Sequence, residues 1–260
     1  MNRTLIVAFL IFSLASTAAH ANNDMVVGDG RIDGTKAKEY DLTWRQCSLQ
    51  GEAWVRGADL SESLTVTGPD ELSLRQVTHR DGGITVEASS NYDRKSFAPL
   101  QLEQTATSGD GDQLAHSIHR LTADGYEGHV NRGGESKDVS GDVNSHMLHG
   151  GAMGLPLALL PYQDTPLKFN ASMIAFDASY TVTAEWAGSE TIEYEGEAVD
   201  VWFVDIEWLH EGLGDIYPPG PDASGGRYWV AHNPPAGFPY VLRYKTDTYA
   251  IEFLPLACPD

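Results

Sequence analysis

The stretch GGRYWVAHNPPAGFPYVLRYKTDTYAIEFL, Gly225 to Leu254, decides the fold. Arg227–Ala231 is rich in aromatic and β-branched residues, and His232-Asn233-Pro234-Pro235-Ala236-Gly237 breaks it. Tyr240, Leu242 and Tyr244 then alternate with Val241, Arg243 and Lys245, the period of two expected of a half-buried strand. Thr246-Asp247 turns the chain into Tyr249, Ile251 and Phe253, which alternate with Ala250, Glu252 and Leu254. Three such strands are not stable alone, so the preceding chain must extend the sheet.

Upstream, the same pattern repeats. Leu64–Thr67, Leu72–His79, Ile84–Ala88, Leu100–Thr105, Leu114–Leu121 and Tyr126–Val130 read as strands divided by Gly/Asp turns such as Asp81-Gly82-Gly83 and Gly109-Asp110-Gly111-Asp112. Strands resume at Leu167–Phe176, Tyr180–Trp186, Thr191–Glu195 and Val199–Trp208. With 26 Gly and 13 Pro punctuating short runs, the chain reads as all-β, mainly antiparallel, with ten or more strands. One stretch breaks the rhythm. SHMLHGGAMGLPLALL, Ser145–Leu160, is apolar without alternation and predicts one short helix, capped by Asp142 or Ser145 and stopped by Pro161.

The first 21 residues read as a signal peptide. Arg3 precedes the apolar core Leu5–Leu14, which is too short to span a bilayer stably, and Ala19-His20-Ala21 predicts cleavage between Ala21 and Asn22. Residues 22–39 are polar and glycine-rich and read as a flexible N-terminal arm, with one β domain over 40–260. No second long apolar run follows, so the expectation is a periplasmic or secreted protein with no stable membrane insertion after cleavage. The formal net charge of −20 repels phosphate backbones and anionic lipids, and excludes nucleic acid as a partner. Cys47 and Cys258 lack C-x-x-C spacing, and in an oxidising compartment they predict one disulfide joining the two ends of the domain.

Candidate chemistry is sparse. His116/His119 and His146/His149 both show H-x-x-H. Residues three apart point to opposite faces of a strand but share a helix face, so only His146 and His149 are metal-ligand candidates, and they need a third ligand such as Asp142. Asp205 and Glu207 share a strand face, and Glu193, Glu195 and Glu197 are spaced to share one, which a solvated acidic surface explains. Asp222–Gly226 lacks the spacing of a serine nucleophile loop, although His210 and His232 flank it. Aromatic residues carry the stronger signal. Trp202, Val204, Ile206 and Trp208 project from one side of a strand whose other side is also partly apolar. Such a strand is covered on both faces or lines a cavity with one.

The leader, LPLALLP (Leu155–Pro161), VDVWFVDIEW (Val199–Trp208) and GGRYWVAHNPPAGFPYVLRYKT (Gly225–Thr246) together resemble exported bacterial β-proteins of unknown function, distantly akin to the LolA/LolB lipoprotein carriers. That resemblance covers the C-terminal half best. It implies a curved, incomplete antiparallel barrel with a helical plug against its concave face, and transfers architecture rather than mechanism. On it, Trp202, Val204, Ile206, Trp208, Leu155 and Leu157 become candidate ligand-wall residues. The expected function is non-enzymatic: holding an apolar or amphipathic small molecule, or a segment of an envelope protein, with no cofactor. The alternative is a hydrolase, with or without a metal, whose site lies in the concavity.

Overall fold

A computed structural model describes residues 24–149, 153–161, 163–174, 178–194, 196–210, 225–247, 249–253 and 258. The leader and its cleavage point at Ala21/Asn22 lie outside the described residues, as do 211–224. The strands are β1 (Asp24–Met25), β2 (Tyr40–Gln50), β3 (Ala53–Gly68), β4 (Glu71–His79), β5 (Thr85–Asp93), β6 (Pro99–Thr107), β7 (Gln113–Leu121) and β8 (Tyr126–Arg132). They continue as β9 (Glu135–Gly141), β10 (Leu148–His149), β11 (Leu167–Met173), β12 (Ala178–Tyr194), β13 (Glu197–His210), β14 (Gly225–Ala231), β15 (Val241–Lys245) and β16 (Tyr249–Phe253). One helix, α1 (Gly154–Leu159), separates β10 from β11.

All sixteen strands belong to one sheet, ordered β1-β11-β12-β13-β14-β15-β16-β2-β3-β4-β5-β6-β7-β8-β9, with β10 also on β11. Two antiparallel meanders are thus joined where the last strand meets an early one. At that seam Ala250 lies opposite Cys47 and Phe253 opposite Trp44. Cys47 and Cys258 form the expected disulfide beside it, with Cα atoms 5.8 Å apart. The sheet does not close: β1 and β9 stand at its two ends. β9 is short, charged and mostly exposed, as an edge that resists further pairing should be.

The curvature follows from the core. Phe169 on β11 and Leu72 on β4 belong to one buried cluster, together with Leu155, Leu157 and Leu160 around α1. Eight steps separate those strands in the sheet, about 38 Å if it were flat. The sheet therefore curls around α1, which rests on β14 and β15. Its approach depends on Gly154: a Cβ there would lie 2.4 Å from Val241 Cγ2 and 3.0 Å from Tyr228 Cε1.

Three expectations need correction. The helix is confined to Gly154–Leu159, because Leu148–His149 pairs parallel with Ala171–Ser172 instead of coiling. The expected flexible arm over 22–39 is, over 24–38, packed chain: Met25, Val27, Ile32 and Ala37 are buried in the main core, and β1 pairs with β11. Apolar residues spaced among Gly and Asp make that packing possible, with Asp29 and Asp33 accepting backbone N–H bonds in the turns. Finally, Leu242 does not share a face with Tyr240 and Tyr244. A bulge sets Trp229 opposite Arg243 and Val230 opposite Val241, so Leu242 joins a separate cluster with Val199, Val201, Ala231 and Phe238.

Candidate functional site

Between the start of α1 and the sheet lies a cavity of ≈ 80 Å³. Its walls come from six strands and the helix. Leu60, Leu74, Met153, Leu155, Val241 and Ile251 supply apolar surface, and Tyr40, Trp44, Tyr228 and Tyr244 supply rings. Among the described residues, Glu62 and Gln76 are its polar side chains besides those rings, and no Lys, Arg or His lines it. At roughly 10–15 Å³ of such space per water, it admits several waters or one compact chemical group, not an acyl chain.

The register explains how a carboxyl came to be here. On β3, Leu60, Glu62, Leu64 and Val66 share one face; on β2, Tyr40, Leu42 and Trp44 do; on β4, Leu72, Leu74 and Gln76 do. Glu62 lies directly opposite Leu42 on one side and Gln76 on the other, with Tyr40 and Trp44 diagonal to it. The Tyr40 hydroxyl donates to Glu62 Oε1 at 2.7 Å, and Gln76 Nε2 donates to Oε2 at 2.7 Å. Burial pushes the Glu62 carboxyl above the ordinary range, and Gln76, Tyr40 and the Trp44 indole pull the other way. Tyr40 is held well above the usual phenol range by its own burial and then by the neighbouring carboxylate. Tyr228 and Tyr244 stack at 4.5 Å between ring centres, on adjacent strands.

Of the residues singled out in the sequence, Leu155 lines this cavity. Trp202, Val204, Ile206 and Trp208 do share one face of β13, and that face belongs to the main core with Leu157. Val204 and Leu157 are fully buried. Trp202 is partly buried and stacks on His232 at 4.1 Å, while Trp208 meets Tyr180 edge-on. The structure therefore puts these five beside the cavity's neighbourhood in the core rather than in its wall. Glu62, Gln76, Tyr40 and Trp44 were missed. The available signal was a carboxylate in phase with Leu60, Leu64 and Val66, hidden among 37 acidic residues.

His146 and His149 do not share a helix face. His146 is exposed in a turn and His149 sits in β10, where burial lowers its pKa to about 4. Among the described residues no three His, Cys, Asp or Glu side chains are grouped to hold a metal. His116 and His119 take opposite faces of β7: His116 pairs with Glu103 at 2.9 Å, and His119 packs edge-on against Tyr126. Residues 222–224 and 195 lie outside the described residues. Asp205 accepts from Arg227 on the outer face, and Glu252, fully buried, accepts from Arg243 at 2.7 Å.

Fold and site together define an open, barrel-like antiparallel β-protein with a half-open, carboxyl-bearing cavity beneath a short helix. Among solved structures, the chain is similar to a beta-barrel-like protein of a domain of unknown function (DUF1849) from Brucella abortus. The match has a TM-score of 0.52 at 6% identity, and covers 88% of this chain and 100% of that one. No family model matches the chain, and no curated protein matches it.

Proposed function

We propose that this chain is an exported, non-enzymatic protein that holds an apolar or amphipathic ligand, or a segment of an envelope protein, in its curved β-sheet. The observation that carries this reading is the cavity between α1 and strands β2–β4 and β14–β16, with one hydrogen-bonded carboxyl in an otherwise apolar and aromatic wall. Binding sites are built this way, from apolar surface and a few placed polar groups. The Cys47–Cys258 disulfide supports an oxidising compartment, and the leader reading supports export. No described helix is long and apolar enough to cross a membrane. The kinship to lipoprotein carriers belongs to this proposal as well.

The cavity sets the manner of binding. It receives one compact group of a larger molecule, whose remainder lies outside. Native mass spectrometry of the protein purified from its own host is the test. A co-purifying amphipathic molecule or a stoichiometric polypeptide is the expected result. A bare chain, with no change in tryptophan emission on titration with phospholipids, amphiphilic amines and short peptides, overturns the reading.

A further inference from the structure

We infer that the cavity takes an ammonium group, with Glu62 as its counter-charge and the rings of Tyr40, Trp44, Tyr228 and Tyr244 as its wall. This rests on the binding reading above and names the chemistry that reading leaves open.

The argument starts from what Glu62 lacks. Its hydrogen-bond donors are a hydroxyl and an amide, which orient a carboxylate without neutralising it. A carboxylate offers about four acceptor positions, and these two bonds leave acceptor capacity for the cavity. Among the described residues no basic side chain lines that cavity. A carboxylate drawn partly out of water without a cation is costly, and it either takes a proton or finds a positive partner. Its raised pKa records that unmet need.

Other occupants fit worse. An anionic head group meets the Glu62 charge on a chain already at −20. A plain alkyl group leaves that remaining acceptor capacity unpaired. An ammonium group satisfies it, and the electron-rich rings add cation–π attraction, about 0.5–2 kcal/mol in general. A primary or methylated ammonium is a compact group of the kind this space admits. The same group is offered by a choline-type head group and by a lysine side chain, and the probes below separate the two.

The experiment is isothermal titration of the disulfide-bonded chain with tetramethylammonium, choline and n-butylammonium. Uncharged 3,3-dimethylbutan-1-ol, the carbon analogue of choline, and butyrate serve as comparisons. The expected result is binding of the ammonium probes, at least tenfold weaker binding of the alcohol and none of butyrate. Tighter binding of choline points to a head group, and of n-butylammonium to a lysine side chain. Glu62→Gln, which keeps an acceptor for Tyr40, should lower ammonium affinity at least tenfold with the unfolding midpoint retained or raised. Tyr244→Leu, which leaves Glu62 intact, should lower it several-fold. Affinity should also fall as pH drops and a proton competes for Glu62. Equal binding of alcohol and choline, or equal affinity of wild type and Glu62→Gln, overturns the ammonium assignment while leaving a binding cavity. Failure of every probe, together with a bare chain by native mass spectrometry, overturns both.

Discussion

Strands β2–β4 and β13–β16 and strands β6–β9 belong to one sheet, yet they have little else in common. The first group faces α1 and the packed N-terminal segment, and its inward positions include Leu64, Leu72, Leu74, Val204, Ile206 and Tyr228 in the main core and Leu60 beside Trp44. The second faces a small cluster of Leu102, Leu121, Tyr126, Val143 and Ile174. Its remaining inward positions include Ser117, His119, Gly128 and Lys137. Pairing is antiparallel in both and each carries bulges, at Arg45/Cys47, Val66/Gly68 and Trp229/Val230 in the first and at Ala106/Thr107 in the second, so the type of ladder does not distinguish them. What differs is the cover. Where a helix and a loop close over the sheet, apolar and aromatic side chains occupy alternate positions; where little closes over it, polar ones do. The seam half therefore carries most of the burial and the cavity beneath α1, while β7–β9 extend as a more polar flank.

The largest test of that contrast is the seam. Cys258→Ser removes a crosslink spanning 211 residues, for which chain entropy alone gives about 5 kcal/mol. The expected outcome is a much lower midpoint in oxidising denaturant titrations, with β2 and β16 losing hydrogen-exchange protection before β7 and β8. Uniform loss of protection would show that the two halves unfold as one.

Next comes the cover itself. Leu157 in α1 is fully buried, so Leu157→Ala should cost about 2–5 kcal/mol. Leu121→Ala, in the small cluster on β7, should cost clearly less, because fewer buried neighbours surround the space it leaves. Urea midpoints of the two variants make the comparison, and equal losses would contradict it.

Acidity sharpens the contrast within the covered half. Glu62 has a folded pKa above its ordinary 4.5, so the folded state binds the extra proton. Its contribution is present at low pH and lost as pH rises above 4.5 through the folded value. His149 runs the other way: burial lowers its pKa from 6.5 to about 4, so stability is lost as pH falls through that interval. Glu62→Gln should flatten the loss on the alkaline side, and His149→Phe the loss on the acid side. Thermal midpoints between pH 4 and 8 check both, and an unchanged profile in either variant refutes its assignment.

The smallest effect belongs to the surface. Arg75 and Glu87 pair at 2.6 Å across β4 and β5, but both are about half exposed. Arg75→Ala should therefore change stability by less than about 1 kcal/mol, and less still in high salt. A larger loss would mean that the outer face bears more of the stability than its exposure allows.

Much of this was legible residue by residue. The alternation at Tyr228, Val230 and Tyr244, and the Gly/Asp turns, lead to antiparallel pairing because the period of two is a local property. The disulfide was legible because two cysteines allow one intrachain pairing. The helix was only partly so: Leu155 and Leu157 are in it, but His146 and His149 are not. A parallel bridge to β11, twenty-three residues along the chain, outcompeted the local turn.

Sequence by itself determined the all-β class, the antiparallel meander, the two-faced aromatic strand Val199–Trp208 and the joining of Cys47 to Cys258. Each depends on neighbours in the chain or on simple counting. Tertiary structure alone decided that the N-terminal segment is packed, that Leu242 turns away from Tyr244, and that Tyr40, Trp44, Glu62 and Gln76 meet beneath α1. Those outcomes depend on register between strands, and a shift of one residue would turn Glu62 outward into solvent. Register is set by the sum of cross-strand contacts over the whole sheet. That is why a carboxylate indistinguishable from 36 other acids in the sequence becomes, once folded, the charged pole of the cavity.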